Sequence, residues 1–516
     1  MVATEPENTA DLGPDGADQG SSGVERLSNL SLLAALQAEQ RPDRLALVEP
    51  GVRAISWAEL NRRIDAVAGG LVGTGLLAGQ RIGLDGGNSI AWVVAYLAAL
   101  RAGFVVVPTD PGEATEERDS LLADCGARAV LTTRGAGADE RIPSLELSEE
   151  GLAALTSSAT EVATPPDVES LAVIATTLGT SADPKTVMLS HRALLAHLRQ
   201  VSGYGIVDAD SVVLGVLPFF HAYGLNAVLG SCLAAGARLV LPDPATWDLL
   251  TVIEAEQVDN LPITPGLLYR LVHEQDAADR LRGVRTVMVG GAPLPWRLGR
   301  QFTELTGLRV ERGYGLTEAS PGVTTTVGGE ILGPFHVGRP LPGVEVRVGD
   351  GLDPSEPGEI AVRGANLFSG YWPDGTGGPD DDGWFSTGDI GFQTDGELFL
   401  VDRTREVVSV SGFTVYPSEI EQSIRQLAEV EAVAVVGRRP ASAGAAPGGE
   451  GSGDGLVAFV AGPDVTADLV SDFCRTRLPG FKRPTEVRVV DDLPRGVTGV
   501  VKRAELRRQL EREVPS

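Results

Sequence analysis

The feature that most limits the possible folds is a repeated change of period between short apolar runs and helical segments. Residues 81–111, RIGLDGGNSIAWVVAYLAALRAGFVVVPTDP, read as strand, helix and strand. The alternation returns in RAVLTT, in SLAVIATT, in SVVLGVLP followed by a small-residue helix and ARLVLP, and in VRTVMVGGAPLP. Strands of this kind pair in parallel, because a crossover helix is what carries the chain back to the same edge of a sheet. The fold class predicted is α/β, with a large N-terminal region of parallel sheets and flanking helices.

Upstream, LSLLAALQAEQ has helical spacing, and ISWAELNRRIDAVAGGLV passes from a short strand into an amphipathic helix. From about Gly338 the texture changes to short alternating strands with Gly and Pro turns, which predicts an antiparallel, β-barrel-like section. A last unit from about Thr404 mixes strands with amphipathic helices and reads as a small mobile α+β domain. The domain map expected is a disordered acidic tail at 1–25, a large domain at 26–402 and a small domain at 403–516. Within the small domain, ASAGAAPGGEGSGDG at 441–455 offers almost no side chain that could pack and reads as a flexible loop.

With 516 residues, 43% of them apolar and 22% charged, the chain can bury large cores and has no uninterrupted apolar run long enough to span a bilayer. A formal net charge of -27 argues against nucleic acid and anionic membranes as partners, since both need a basic surface. A local pocket of opposite sign for a small anion is compatible with it. Cys125, Cys232 and Cys474 are too few and too scattered for a disulfide framework or a zinc site, so a reducing, cytoplasmic setting is expected. The first residues carry acidic side chains where a secretory leader needs a basic and then an apolar segment.

The densest chemical signal is ATTLGTSADPKTVMLSH at 175–191, in which a strand opens into Gly, hydroxyls and a Lys. A loop of this composition can wrap a polyphosphate with backbone N–H groups and hydroxyls. It is not the common G-x-x-x-x-G-K-[ST] nucleotide loop, because Pro184 stands at the second Gly position. On its own it could be a plain connection. Further signals follow in LPFFHAYGLN at 217–226, VGGAPLP at 289–295, RGYGLTEAS at 312–320, GWFSTGDIG at 383–391 and VDRTREVVSVSGFTVYPSEIE at 401–421.

In this order and spacing the segments resemble the core motifs of the adenylate-forming ligase superfamily, which includes acyl-CoA and aryl-CoA synthetases, luciferases and the adenylation domains of nonribosomal peptide synthetases. The resemblance runs from about Leu27 to Leu510. It implies activation of a small carboxylic acid by ATP through an acyl adenylate, with Mg2+, followed by transfer to a thiol. The acceptor is either free CoA or the phosphopantetheine of an acyl carrier protein, and both stay open. The resemblance assigns Thr177, Gly179, Thr180, Ser181 and Lys185 to the phosphates, and Gly291, Ala292 and Pro293 to the adenine site. Tyr314, followed by Gly315, would stack on adenine. Thr317 and Glu318 would meet the α-phosphate and Mg2+, and Asp389 with Arg403 the ribose. His221 would gate the carboxylate pocket, or else is a packed core histidine. The pocket segment is closer to acyl- and aryl-CoA ligases than to amino-acid-activating domains.

The chain also departs from that pattern. Ala182 and Thr186 stand where the superfamily usually has Gly, Leu178 where it has Ser or Thr, and Asp183 adds a negative charge. Near the C-terminus, in LPRGVTGVVKRAEL, Val500 follows Gly499 where the superfamily has the Lys that bridges carboxylate and α-phosphate. Lys502 lies two residues on, on the same side of an extended chain but displaced by roughly 7 Å. Two readings follow: a working ligase with altered adenylation that uses Lys502 or none, and a ligase-like protein reduced to binding, scaffolding or the thioester half-reaction.

Overall fold

The computed structural model describes residues 27–512 except 135–141, 159–161, 166, 178–184, 244–247, 352, 411–412, 439–454 and 497–498. The proposed acidic tail at 1–25 and nearly all of the glycine-rich stretch at 441–455 lie outside the described residues.

Two sheets form the large N-terminal region, as the alternation implies. One has six strands in the order Ser144–Glu146, Ala127–Thr132, Arg81–Asp85, Val105–Thr109, Leu171–Thr176 and Thr186–Ser190. The first five are parallel and the last is antiparallel to its neighbour. The other sheet has 13 strands. Its parallel heart contains Leu45–Glu49, Arg238–Val240, Val212–Leu214, Asn260–Ile263, Thr286–Val289 and Val310–Gly315. Antiparallel strands continue it: Gly322–Thr325, His336–Pro340, Glu397–Arg403, Phe385–Thr394, Gly358–Gly364 and Val344–Val348. This is the change of texture read from Gly338 onward, beginning one hairpin earlier.

The helix Ile90–Arg101, IAWVVAYLAALR, is apolar all round and buried at every position. It touches strands of both sheets, which explains why it has no polar face. Ser89 starts it by accepting a hydrogen bond from the Trp92 N–H at 3.1 Å. Fully burying a side chain such as Val94 or Leu97 contributes roughly 1.5–3 kcal/mol, and this helix buries a row of them. The C-terminal unit is a three-stranded sheet of Ala432–Arg438, Gly455–Ala461 and Glu486–Val489, packed by the helices Pro417–Ile424, Ala467–Arg477 and Arg503–Arg512. Among the described residues no helix is long and apolar enough to cross a membrane.

One buried group makes folding depend on acidity. His197, in the helix His191–Ser202, is 2% exposed, and neither ring nitrogen has a partner among the described residues. Burial lowers its pKa from 6.5 to about 3. Between those values the unfolded chain binds the proton and the folded chain does not. Stability is therefore complete above pH 6.5 and falls as pH drops, with a slope approaching about 1.4 kcal/mol per pH unit from this group. Replacing His197 with Leu should flatten the acid side of a denaturation-midpoint curve between pH 6.5 and 4. An unchanged slope would show that another group carries it.

Candidate active site

The candidate site assembles where adjacent parallel strands end. Asn260–Ile263, Thr286–Val289 and Val310–Gly315 are neighbours, with Ile263 opposite Val289 and Val289 opposite Arg312. Their C-terminal ends release Thr264, the Gly290–Ala292 turn and the Leu316–Glu318 turn side by side, the place where open α/β sheets bind ligands. Gly291 has φ +80, a conformation that glycine adopts without strain. The site therefore brings Gly291, Ala292 and Pro293 next to Tyr314 and Gly315 through backbone topology.

Asp389 and Arg403 face one another across the antiparallel pair Phe385–Thr394 and Glu397–Arg403. The Arg403 Nε lies 3.1 Å from Asp389 Oδ1, and the Tyr314 hydroxyl donates to Asp389 Oδ2 at 2.6 Å. Burial, and then the Asp389 charge, push the Tyr314 phenol well above its ordinary pKa, so it remains a donor. An ionised carboxylate has about four acceptor positions, so Asp389 can hold Tyr314 and Arg403 and still accept from vicinal hydroxyls. The sequence reading gave Tyr314 to the adenine ring; its hydroxyl also orients the proposed ribose carboxylate.

At the base of the proposed phosphate loop, the Thr177 N–H donates to the Lys185 carbonyl at 2.9 Å and the Lys185 N–H to Thr177 Oγ1 at 3.0 Å. This clasp closes the chain on either side of 178–184. Gly179, Thr180, Ser181 and Ala182 lie outside the described residues. Thr186 already belongs to the strand Thr186–Ser190, where a β-branched residue fits well. Thr186, where the resemblance implies glycine, therefore sits without strain in its strand.

Lys185 Nζ sits 4.4 Å from the centre of the Tyr371 ring, and the Tyr371 hydroxyl donates to Glu318 Oε1 at 2.8 Å. Thr317 opens the short 3-10 turn Thr317–Ala319 that presents Glu318. Tyr371 was absent from the sequence reading; only the pairing of its segment with the strand after the phosphate loop brings it here. Glu318 Oε2 has no partner among the described residues, which suits one carboxylate ligand to Mg2+ with phosphate oxygens completing the shell. Among the described residues no three His, Cys, Asp or Glu side chains form a metal site on their own.

Leu217, Pro218, His221, Tyr223, Gly224, Thr264 and Gly291 line a cavity of about 20 Å³. His221 thus faces a pocket next to the Gly291 turn. Burial lowers its pKa to about 4, so it is neutral at pH 7 and cannot act there as a cation. The Tyr223 N–H donates to His221 Nδ1 at 3.3 Å and the Tyr223 hydroxyl to the Met288 carbonyl at 3.3 Å. Tyr223 begins a π-helix, Tyr223–Gly230, a departure from α-geometry often found at functional sites; with the α-helix Ser231–Ala235 it makes up the small-residue helix expected between SVVLGVLP and ARLVLP.

A family model described as AMP-binding enzyme matches residues 35–372, and a second, AMP-binding enzyme C-terminal domain, matches 419–499. The chain belongs to the AMP-binding enzyme family. It is 31% identical to a feruloyl-CoA synthase from Amycolatopsis sp, over 90% of this chain and 95% of that one. It is 32% identical to 4-coumarate–CoA ligase 5 from Oryza sativa subsp. japonica, over 92% and 93%. The structure of ATP-bound MatB from Rhodopseudomonas palustris superposes with a TM-score of 0.83 at 29% identity, covering 93% of this chain and 99% of that one.

The C-terminal segment expected to differ at Val500 is described on both sides of 497–498. Arg495 and Val501 form a β-bridge, and Val500 accepts the Gly496 N–H at 2.9 Å through its carbonyl. Lys502 is half-exposed, with its Nζ 3.6 Å from Glu505, and makes no ion pair with Glu318 or Asp389 in this conformation. The structure therefore gathers Tyr314, Asp389 and Arg403, and pairs Lys502 with Glu505 rather than with any of them. Between the two regions, Asp402 accepts the Ser418 N–H at 2.9 Å, and Glu406 pairs with Arg507 at 2.6 Å. Both carboxylates tie the segment Asp402–Glu406 to the C-terminal unit.

Proposed function

We propose that this protein activates a small carboxylic acid with ATP as an acyl adenylate and passes the acyl group to the thiol of CoA. The observation that carries the reading is the convergence of Tyr314, Asp389 and Arg403 with Thr317, Glu318 and the Thr177–Lys185 clasp. In this reading Asp389 is the ribose acceptor, the Thr177–Lys185 clasp flanks the phosphate loop, and Glu318 offers a carboxylate oxygen without a partner among the described residues. The similarity to feruloyl-CoA and 4-coumarate–CoA enzymes supports CoA as the acceptor over a carrier protein.

In this reading Asp389 holds the ribose hydroxyls and so fixes the α-phosphate relative to the Thr317–Glu318 turn. Mg2+, held by Glu318 and the phosphates, would neutralise charge on the departing pyrophosphate. Lys185 and the backbone of the loop add donors to the phosphate oxygens. Neutral His221 borders the acid pocket without repelling or trapping the incoming carboxylate as a fixed charge would. Lys502, with Thr317 and His221, completes the proposed catalytic set, reaching the site through movement of the C-terminal unit.

The test is CoA-thioester formation from ATP, Mg2+ and a panel of aromatic and short aliphatic acids, followed by mass spectrometry. Thioester that requires both ATP and one acid supports the reading; thioester formed without ATP contradicts it. The proposed pivot adds a second expectation. A few dihedrals in Asp402–Glu406 can rotate the small domain between half-reactions. Arg405→Pro should therefore depress thioester formation from a supplied acyl adenylate by roughly tenfold or more, and adenylation less. Equal loss in both would count against this pivot.

A further inference from the structure

We propose that Tyr371 is a positioning residue that fixes the metal-binding orientation of Glu318 and couples it to the base of the phosphate loop through Lys185. The inference rests on the nucleotide-site reading above. It starts from backbone pairing. Tyr371 bridges antiparallel to Val187, the Trp372 N–H donates to the Thr186 carbonyl at 2.9 Å, and the Ser369 N–H donates to the Met188 carbonyl at 2.9 Å. The segment is thus stitched to the strand that leaves the phosphate loop. Its own turn is closed by the Tyr371 N–H donating to Thr376 O at 3.0 Å and the Gly375 N–H to Tyr371 O at 2.8 Å.

On this frame the ring has little freedom. Phe368 packs edge-on with ring centres 5.0 Å apart, and a Cβ on Gly377 would approach two ring atoms at 3.0 and 3.1 Å. The Phe368 N–H donates to the Glu318 carbonyl at 2.9 Å, so the same segment also holds the turn that carries the carboxylate. With backbone and ring both fixed, the 2.8 Å hydrogen bond from the phenol holds Glu318 Oε1 in one place. A free glutamate samples many rotamers, and ordering it on binding costs affinity. Committing one oxygen to Tyr371 turns the other toward a cation as a single ligand, which suits the small octahedral Mg2+ ion. The Lys185 ammonium over the ring draws the loop base to the same residue.

Two substitutions separate the hydroxyl from the ring. Tyr371→Phe removes the donor and keeps the ring for Lys185; Tyr371→Leu removes both. ATP binding is measured by calorimetry with Mg2+ and with chelator in place of Mg2+, alongside Glu318→Gln and melting temperatures. Tyr371→Phe is expected to leave metal-free ATP binding unchanged and to reduce the gain in affinity on adding Mg2+ by about tenfold. Tyr371→Leu is expected to weaken metal-free binding as well. A Tyr371→Phe protein with the native Mg2+ dependence, in a chain where Glu318→Gln loses it, would overturn this inference alone. A native chain that binds no ATP would overturn the proposed function and this inference together.

Discussion

Asp389→Ala is expected to weaken ATP and AMP binding by about 1–3 kcal/mol, or roughly five- to 150-fold. The loss has two sources. The ribose hydroxyls lose a charged acceptor, and the groups that Asp389 holds lose theirs. The Tyr314 hydroxyl is buried and donates to this carboxylate at 2.6 Å, while Arg403 lies 3.1 Å away. Without Asp389, a buried phenol loses its acceptor and the guanidinium loses its partner carboxylate. Asp389→Asn keeps one acceptor oxygen and should lose less. Calorimetric titration with AMP, which needs no turnover, separates these cases. Equal affinities in all three proteins would place the ribose elsewhere.

Val500→Lys is expected to raise acid-dependent pyrophosphate release, on the order of tenfold to a hundredfold where adenylation is limiting. The position should tolerate the change. Val500 is held through its carbonyl, which accepts the Gly496 N–H, and Gly499 at φ +83 supplies the turn before it. A Lys keeps both features and adds a cation for the meeting of carboxylate and α-phosphate. Adding Ala182→Gly should increase the gain, because glycine lets the phosphate-loop backbone approach phosphate closely. Thr186→Gly should add little, since Thr186 stands in a regular strand paired with Thr176. Fast native turnover that is lost in Lys502→Ala, with no gain from Val500→Lys, would instead assign the bridging role to Lys502.

The fold was largely legible because its strands and helices declare themselves by period. The buried helix Ile90–Arg101 and the strands on either side of it follow directly from apolar runs too long or too short for one another's geometry. The residues proposed for the nucleotide came from resemblance, since their motifs are contiguous. What stayed hidden depends on contacts between distant segments. Tyr371 meets Glu318 across 53 positions, and only sheet topology brings them together. The same holds for Asp85, which is fully buried yet bonded to Thr109 and Thr132 at the ends of the two neighbouring strands, to Arg118 from the helix Thr115–Asp124 and to Arg134 just past a strand. No local pattern marks an Asp in an apolar strand as part of such a network. The π-helix at Tyr223–Gly230 escaped because π and α turns share the same small and apolar residues.

The most direct test of acid activation at this site is ATP–pyrophosphate exchange with labelled pyrophosphate, run on the native chain with Mg2+ and the acid panel. Exchange that depends on one class of acid, and that falls in both Asp389→Ala and Glu318→Gln, is the result predicted for a chain that forms an acyl adenylate here. ATP binding without exchange for any acid, together with thioester formation from a synthetic acyl adenylate, would contradict it and leave a protein that performs the second half-reaction alone.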